Sequence, residues 1–224
     1  MRKNSTVREP MQKRSIEKKE KIIEYGFELI CDKGYYNTNT AEIAKAAGVS
    51  TGIIYQYFND KHDILIEGIK QNANNIFFPM LTALEKKFNV DDLENVLRKT
   101  IKSFVKDHKL SQTAHEELLA MVHSDKEVAH IFYEFEMAKT QSITDSLIRS
   151  GITQENLKEK VHILVKLIDD LCHELVYHKH SAMDYNAMTD ITINIIMNML
   201  KIWESWKAST TKKKKIRTKN NLFA

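Results

Sequence analysis

The chain has 224 residues, of which 42% are hydrophobic and 29% are charged, and its formal net charge is +4. This length is enough for one large or two small domains with a buried core, and a content of only six glycines and two prolines favours long helices over a turn-rich β protein. No apolar run of about 18 residues predicts a membrane span, and no apolar segment follows the charged first residues, so we expect a cytoplasmic protein.

The positive charge is concentrated at the two ends of the chain. Residues 1–21 contain eight basic and three acidic side chains, and residues 207–224 contain seven basic side chains and no acid. The intervening body is therefore net acidic. This pattern predicts a flexible basic arm at 1–14 and a basic tail at 207–224, with contact to a polyanion or simple solvation as the two interpretations of the tail.

The helical period begins near Ile16, and the first helix is expected to end at Gly34. Thr38 is the predicted N-cap of a short second helix, which Gly48 ends. Ser50 is the predicted cap of a third helix. Asp60, with Asp63 three residues later, predicts the start of a fourth helix from residue 61.

The remaining pattern is helical to about residue 206. The expected caps of successive helices are Asp91 or Asp92, Ser111, Ser124 or Asp125, and Thr153. Gly151 is expected to end one of these helices. A last helix is expected from about Asp184 to Trp206. We therefore predict an all-α fold of about nine helices, with a helix-turn-helix domain at 15–60 and a larger helical domain at 61–206.

Three short helices with a glycine-bearing turn before the third are typical of a helix-turn-helix. Ala44 and Ala47 are small enough to let the second and third helices approach closely, and Gly48 supplies the turn. Gly52 leaves the exposed start of the third helix without a side chain. Such a helix enters the major groove of DNA with its N-terminal end.

The same segment resembles the N-terminal signature of TetR-family transcriptional repressors. The resemblance is carried by GYYNTNT at 34–40, by Ile43-Ala44, and by the pattern AGVSxGxxYxYFxxK at 47–61. It covers about a quarter of the chain. Two features depart from the family pattern: Asn39 stands where a second hydroxyl is common, and residues 22–70 are net acidic.

The resemblance implies which side chains contact DNA. Phosphate contacts are implied for six residues: Thr38, Thr40, Ser50, Tyr55, Tyr57 and Lys61. Thr51, Ile53 and Gln56 would lie nearest to base edges, and Gln56 could pair with adenine. Gly52 would let the backbone approach the DNA. For each side chain the alternative is ordinary helix surface, and for Tyr55 it is core packing.

The family resemblance also implies an effector pocket and a dimer interface in the C-terminal region. Aromatic and polar spacing suggests six pocket residues: Phe104, His115, Met121, Phe132, Phe135 and Glu136. A lipophilic molecule, including a lipophilic cation near Glu134 and Glu136, is one candidate effector. Wide apolar faces on the last two helices suggest seven interface residues: Leu164, Ile168, Leu171, Ile191, Ile195, Met199 and Trp203. A purely intramolecular core is the alternative.

No catalytic constellation, cofactor motif or metal motif is apparent, so an enzyme is not expected. His173 and His178 are five residues apart, whereas two zinc ligands on one helix face need a spacing of four, and binding of a metal by these residues with His180 stays a weak alternative. Cys31 and Cys172 are expected to be reduced thiols. The favoured function is a homodimeric repressor that binds a palindromic DNA operator and is released by a small molecule. The alternative is a helical small-molecule carrier without operator recognition.

Overall fold

The computed structural model describes residues 13–76, 79–86, 88–107 and 110–200, and these residues form nine α-helices and no strand. In chain order the helices are α1 (Lys13–Lys33), α2 (Thr40–Ala47), α3 (Thr51–Tyr57), α4 (Lys61–Ile76), α5 (Leu93–Asp107), α6 (Gln112–Ser124), α7 (Lys126–Arg149), α8 (Leu157–Tyr177) and α9 (Tyr185–Met199). Two 3₁₀ segments, Pro79–Glu85 and Val90–Asp92, lie between α4 and α5. The all-α prediction is confirmed. None of the described helices is long and apolar enough to cross a bilayer.

Most predicted helix ends coincide with the observed ones. Gly34, Gly48 and Gly151 follow α1, α2 and α7 with φ of 92°, 68° and 94°, a region in which a residue with a Cβ is strained. Asp125 caps α7 by accepting hydrogen bonds from the N–H groups of residues 127 and 128, and Asp184 caps α9 in the same way. These local predictions are confirmed.

Three boundaries differ from prediction. Helix α8 begins at Leu157 after the left-handed residue Asn156 (φ 54°), so Thr153 does not cap it. Asn89, rather than Asp91 or Asp92, caps the 3₁₀ turn that leads into α5. Helix α1 already includes residues 13 and 14, which the sequence placed in the basic arm. The rest of the arm, the basic tail, and the predicted end of the last helix at 201–206 lie outside the described residues.

The contacts divide the chain into two compact units. The first falls within Met1–Phe77 and His108–Glu136, and the second within Phe78–Asp107 and Met137–Ala224. Helices α4 and α6 therefore belong to the same unit as the three N-terminal helices, whereas the sequence suggested a boundary at residue 60. Two glycines let α1 and α4 pack closely: a Cβ on Gly68 would lie 2.3 Å from the ring of Phe27, and one on Gly26 would lie 2.7 Å from Ile64.

The second unit has an aliphatic core built from the Pro79–Glu85 segment, α5, the later part of α7, α8 and α9. Leu81, Leu93, Leu97, Val161 and Ile196 are each no more than 2% exposed. Burial of such side chains stabilises the unit by roughly 1.5–3 kcal/mol each relative to exposure. The unit contains a small cavity with an aliphatic lining.

Candidate nucleic-acid interface

A left-handed glycine forms the turn between α2 and α3. Gly48 has φ 68° and ψ 32°, and its N–H donates to the Lys45 carbonyl at 3.3 Å, while the Val49 N–H donates to the Ala44 carbonyl at 2.9 Å. A Cβ at position 48 would meet no atom within 4 Å, so the backbone conformation and not the available space favours glycine here. The turn orients α3 relative to α2.

The inner sides of α2 and α3 are fully buried. Ile43, Ala44, Ile54 and Phe58 are no more than 2% exposed. They form one apolar cluster with residues of α1 and α4, including Ile22, Ile23 and Ile64. Because this side of α3 is committed to the core, its opposite side faces outward.

The outward side of α3 carries small hydrogen-bonding groups. Its exposed residues are Ser50, Thr51, Gly52, Tyr55 and Gln56. Tyr55 is 55% exposed and its hydroxyl lies 3.2 Å from that of Thr40 on α2. The Ser50 side chain makes no capping hydrogen bond, and a Cβ on Gly52 would meet only the Ser50 hydroxyl, at 3.9 Å.

This surface suits a DNA backbone and base edges chemically. Hydroxyls and backbone N–H groups bond to phosphate oxygens, and a glutamine amide can pair with adenine in the major groove. Packing inside the chain does not require a glycine at position 52, because the space around it is open. Ile53 is half-buried and packs partly against the core cluster, so it offers less outward surface than Thr51 or Gln56.

Two of the residues predicted to contact DNA are buried in the structure. Thr38 is 2% exposed, and its hydroxyl donates to the Gly34 carbonyl at 2.8 Å. It neither caps α2 nor lies on the outward surface. Asn39 caps α2 instead, and the Glu42 carboxylate accepts the reciprocal hydrogen bond from the Asn39 N–H. Tyr57 is 8% exposed, and its hydroxyl lies 2.6 Å from that of Ser15 on α1.

Lys61 supports the segment before α2 from the first turn of α4. Its ammonium group donates to the carbonyls of Tyr35 and Thr38, at 2.6 and 2.8 Å, and lies 4.2 Å from the centre of the Tyr35 ring. Burial lowers the pKa of this ammonium, and the nearby Glu117 carboxylate opposes that change. Lys61, for which the family resemblance implied a contact with a DNA phosphate, instead stabilises the loop at residues 34–39 in this structure.

Helix α6 holds the same loop from a second direction. The Tyr36 N–H donates to the Glu117 carboxylate at 3.1 Å, and the Ser111 N–H donates to the Cys31 carbonyl at 2.9 Å. A Cβ on Gly34 would lie 2.7 Å from a Glu117 oxygen. Sequence reasoning missed Glu117, because nothing local marks a residue 81 positions away as a partner of Tyr36.

A histidine–aspartate pair joins α4 to the start of α7. The His62 Nε2 lies 2.9 Å from an Asp125 carboxylate oxygen. Burial acts to raise the pKa of Asp125, but hydrogen bonds from the N–H groups of Val128 and Glu127, together with His62, outweigh it and lower the pKa. Asp60, His62 and Asp63 lie close enough together to hold a cation, but both carboxylates already accept backbone hydrogen bonds at the start of α4.

The segment that carries this surface matches a known protein family. The family model of bacterial regulatory proteins of the tetR family matches residues 22–67, which span the second half of α1 through the first part of α4. A Bacillus subtilis fatty acid metabolism regulator protein is 29% identical over 143 residues, covering 63% of this chain and 72% of that protein. The transcriptional regulator HbdR of an Aromatoleum species is 48% identical over 54 residues, or 24% of each chain.

Residues 22–67 form a DNA-binding domain of the TetR family. The matched relatives are transcriptional regulators, and together these comparisons support a TetR-family, helix-turn-helix regulator of transcription and not an enzyme.

Solved structures share the fold of this TetR-family regulator. A TetR-family regulator from Mesorhizobium loti aligns with a TM-score of 0.63 at 22% identity and covers 84% of this chain and 98% of its own. A regulator from Saccharomonospora viridis, solved with choline, gives 0.61 at 19% identity and covers 82% and 96%. The fatty acid degradation regulator FadR from Bacillus halodurans gives 0.53 at 22% identity and covers 80% and 94%.

The structure does not gather the predicted effector residues around a cavity. Phe104 lies in the second unit, where its ring meets His173 edge-on at 5.4 Å, and the other five lie on α6 and α7 in the first unit. None of the six lines the cavity of the second unit. Their assignment to an effector site stays a prediction.

The predicted dimer residues differ in exposure. Leu164, Ile168 and Leu171 on α8 are no more than 5% exposed, so they pack in the core of the second unit. Ile191 and Ile195 on α9 are 59% and 42% exposed, and Met199 is half-buried. Trp203 lies outside the described residues.

The C-terminal histidines pair with carboxylates instead of converging on one point. His173 lies 3.4 Å from Asp169 and stacks on Tyr177, while His180 lies 3.6 Å from Glu174. The one group of potential metal ligands found among the described residues is on α4 and does not include them.

Proposed function

We propose that this TetR-family regulator is a homodimeric repressor that binds a palindromic operator and releases it when a small molecule occupies the second unit. The observation that carries the proposal is the outward side of α3. It presents Ser50, Thr51, Gly52 and Gln56 to solvent on a helix whose other side is fixed in the core.

The exposed apolar side chains of α8 and α9 support the homodimer. Ile163, Ile191 and Ile195 are 54%, 59% and 42% exposed, which is unusual for isoleucine on a soluble helical surface. Pairing this face with a second copy would bury it in a helical bundle. A dimer would also present two copies of α3, which a palindromic operator requires. We expect Ile195→Glu to convert the dimer to a monomer in sedimentation experiments; a dimer of unchanged stability would place the interface elsewhere.

The cavity of the second unit is the proposed effector site. An effector that prefers the state with lower DNA affinity would release the operator by its differential affinity for the two states. The Bacillus subtilis relative is named as a regulator of fatty acid metabolism, which supports an apolar effector; the Saccharomonospora viridis structure contains choline, which keeps a cationic effector as a second candidate.

Selection of bound sequences from random double-stranded DNA, followed by fluorescence anisotropy, tests operator recognition. We expect Gln56→Ala to weaken binding to the selected site by about 1–3 kcal/mol and to relax its sequence preference. Gln112→Ala is the matched control, because Gln112 is an exposed glutamine that bonds only to Glu116 across one helical turn. If no palindrome were selected, or if both variants bound alike, the proposed role of α3 would be wrong. A carrier without operator recognition would show ligand binding and no saturable DNA binding.

A further inference from the structure

The second unit contains a partly open cavity of about 30 Å³. Every side chain that lines it is aliphatic, and the lining includes Leu81 and Leu84 of the Pro79–Glu85 segment and Ile143 of α7. A cavity with no polar lining gives an entering ligand group no hydrogen-bond partner. It therefore accepts hydrocarbon and rejects polar groups, whose burial without a partner is costly.

A buried cation lies one helical turn before a residue that lines this cavity. Lys139 is only 3% exposed, and its ammonium group forms an ion pair with the carboxylate of Glu85. Lys139 precedes the lining residue Ile143 by four positions on α7, so the two side chains share one face of the helix. Glu85 follows the lining residue Leu84. The ion pair therefore lies at the end of the wall that these residues form.

The wall that carries Leu81 and Leu84 is a short 3₁₀ segment attached to α7 by polar contacts. The Ser146 hydroxyl donates to the Lys86 carbonyl at 2.7 Å, and the Arg149 guanidinium donates to the Glu85 carbonyl at 3.2 Å. The Phe88 N–H donates to the Ser150 hydroxyl at 3.3 Å. Water can replace contacts of this kind, so their loss would not break a helix.

We infer that the effector is an amphiphile with an unbranched hydrocarbon tail and one anionic head group. The tail enters the aliphatic cavity, and the head replaces the Glu85 carboxylate as the partner of Lys139. This inference rests on the proposed function, because it assigns a ligand class to the same cavity.

The size of the cavity indicates how binding would act on the protein. A volume of about 30 Å³ accepts far less than a tail of several methylenes, since a cavity of roughly 150 Å³ is needed for benzene. A tail must therefore displace Leu81, Leu84 and their segment. The loss of the Glu85 ion pair and the displacement of the wall would occur together, so the bound state would differ in structure from the free state.

Calorimetric titration of the full chain with four ligands of equal tail length tests the ligand class. Dodecanoate and dodecyl phosphate supply two different anionic heads, dodecanol a neutral head, and dodecyltrimethylammonium a cationic head, all below their micelle concentrations. We expect at least one anion to bind about tenfold or more tightly than dodecanol, the effect of one charge-assisted hydrogen bond. The better of the two anions identifies the head group.

Two variants test the assigned residues. Lys139→Met should remove the preference for the anion over dodecanol, and Glu85→Gln should strengthen anion binding severalfold because it removes the competing carboxylate. Lys158→Met, at an exposed lysine of α8, is the matched control and should leave all affinities unchanged. Circular dichroism would confirm that each variant is folded. If Lys139→Met does not fold, Glu85→Gln still tests the inference.

The inference is overturned if dodecanol or the cation binds as tightly as the better of the two anions, if the preference survives in a folded Lys139→Met variant, if Glu85→Gln leaves anion affinity unchanged, or if no probe binds. Operator binding is measured separately without ligand. If the protein bound no operator, the proposed repressor would be wrong and the ligand result would still stand. If an unrelated molecule released the operator, the repressor would be supported and this ligand class would be rejected.

Discussion

The paired variants Tyr57→Phe and Tyr55→Phe test the different roles of the two tyrosine hydroxyls of α3, one in stability and one in DNA binding. Tyr57 is 8% exposed and its hydroxyl bonds to Ser15, whereas Tyr55 is 55% exposed beside Thr40. Each variant removes one oxygen and leaves the ring in place. Any difference between them therefore reports where the hydroxyl lies.

We expect Tyr57→Phe to lower the free energy of unfolding by about 1 kcal/mol, the value of one partly buried hydrogen bond. For a chain of this size that corresponds to a fall in Tm of about 2–4 °C. Its DNA affinity, measured at a temperature where both proteins are folded, should stay within about twofold of wild type. Tyr55→Phe should leave stability within about 0.5 kcal/mol and weaken DNA binding roughly fivefold, the effect of removing one hydrogen bond to a phosphate.

Thermal denaturation and fluorescence anisotropy on a selected operator supply the two measurements. The separate roles of the two hydroxyls are refuted if Tyr57→Phe keeps the wild-type Tm and weakens DNA binding more than Tyr55→Phe does. That result would mean that the Tyr57 hydroxyl reaches a phosphate, as the family resemblance implied, and that its bond to Ser15 is replaced in the complex.

Three further predictions concern the first unit. Gly68→Ala places a Cβ 2.3 Å from the Phe27 ring and should destabilise the protein by about 1–3 kcal/mol in chemical denaturation; an unchanged midpoint would show that α1 and α4 can separate freely. Lys61→Met removes two bonds to backbone carbonyls, so DNA affinity should fall while the slope of its logarithm against log salt stays constant; a slope reduced by about one would indicate a phosphate contact instead. The lowered pKa of Asp125 means that its ionised form stabilises the fold above the unfolded pKa, and this contribution is lost as the pH falls through the folded pKa. Asp125→Asn should therefore flatten the fall in Tm between about pH 5 and pH 3, and a curve parallel to wild type would argue against this source of acid sensitivity.

Predictions that depend on a few neighbouring residues agree with the structure. Bonds within about four residues determine the left-handed conformations of Gly34, Gly48 and Gly151. Bonds of the same range determine the capping by Asp125 and Asp184. Such bonds are decided by local chemistry. The helix-turn-helix pattern was recognisable for the same reason, since its turn and its capping residues are contiguous.

Predictions about which direction a side chain faces agreed less well. Thr38 and Asn39 are both good capping residues, and the burial of the Thr38 hydroxyl against Gly34 left Asn39 as the cap. Tyr55 and Tyr57 are two positions apart on one helix, so they point in different directions. The position of α1 buries Tyr57, through its contact with Ser15. No local feature distinguishes the two.

By itself, the sequence determined that the chain is helical, where most helices begin and end, and that its N-terminal segment forms a TetR-type DNA-binding motif. Tertiary structure alone decided that Lys61 and Glu117 hold the loop before α2, and that Lys139 is buried beside an aliphatic cavity. The physical reason is the separation along the chain between the residues that interact. Caps and turns depend on bonds between near neighbours, whereas exposure and ion pairing depend on helices that are distant in the chain and meet only in the folded units.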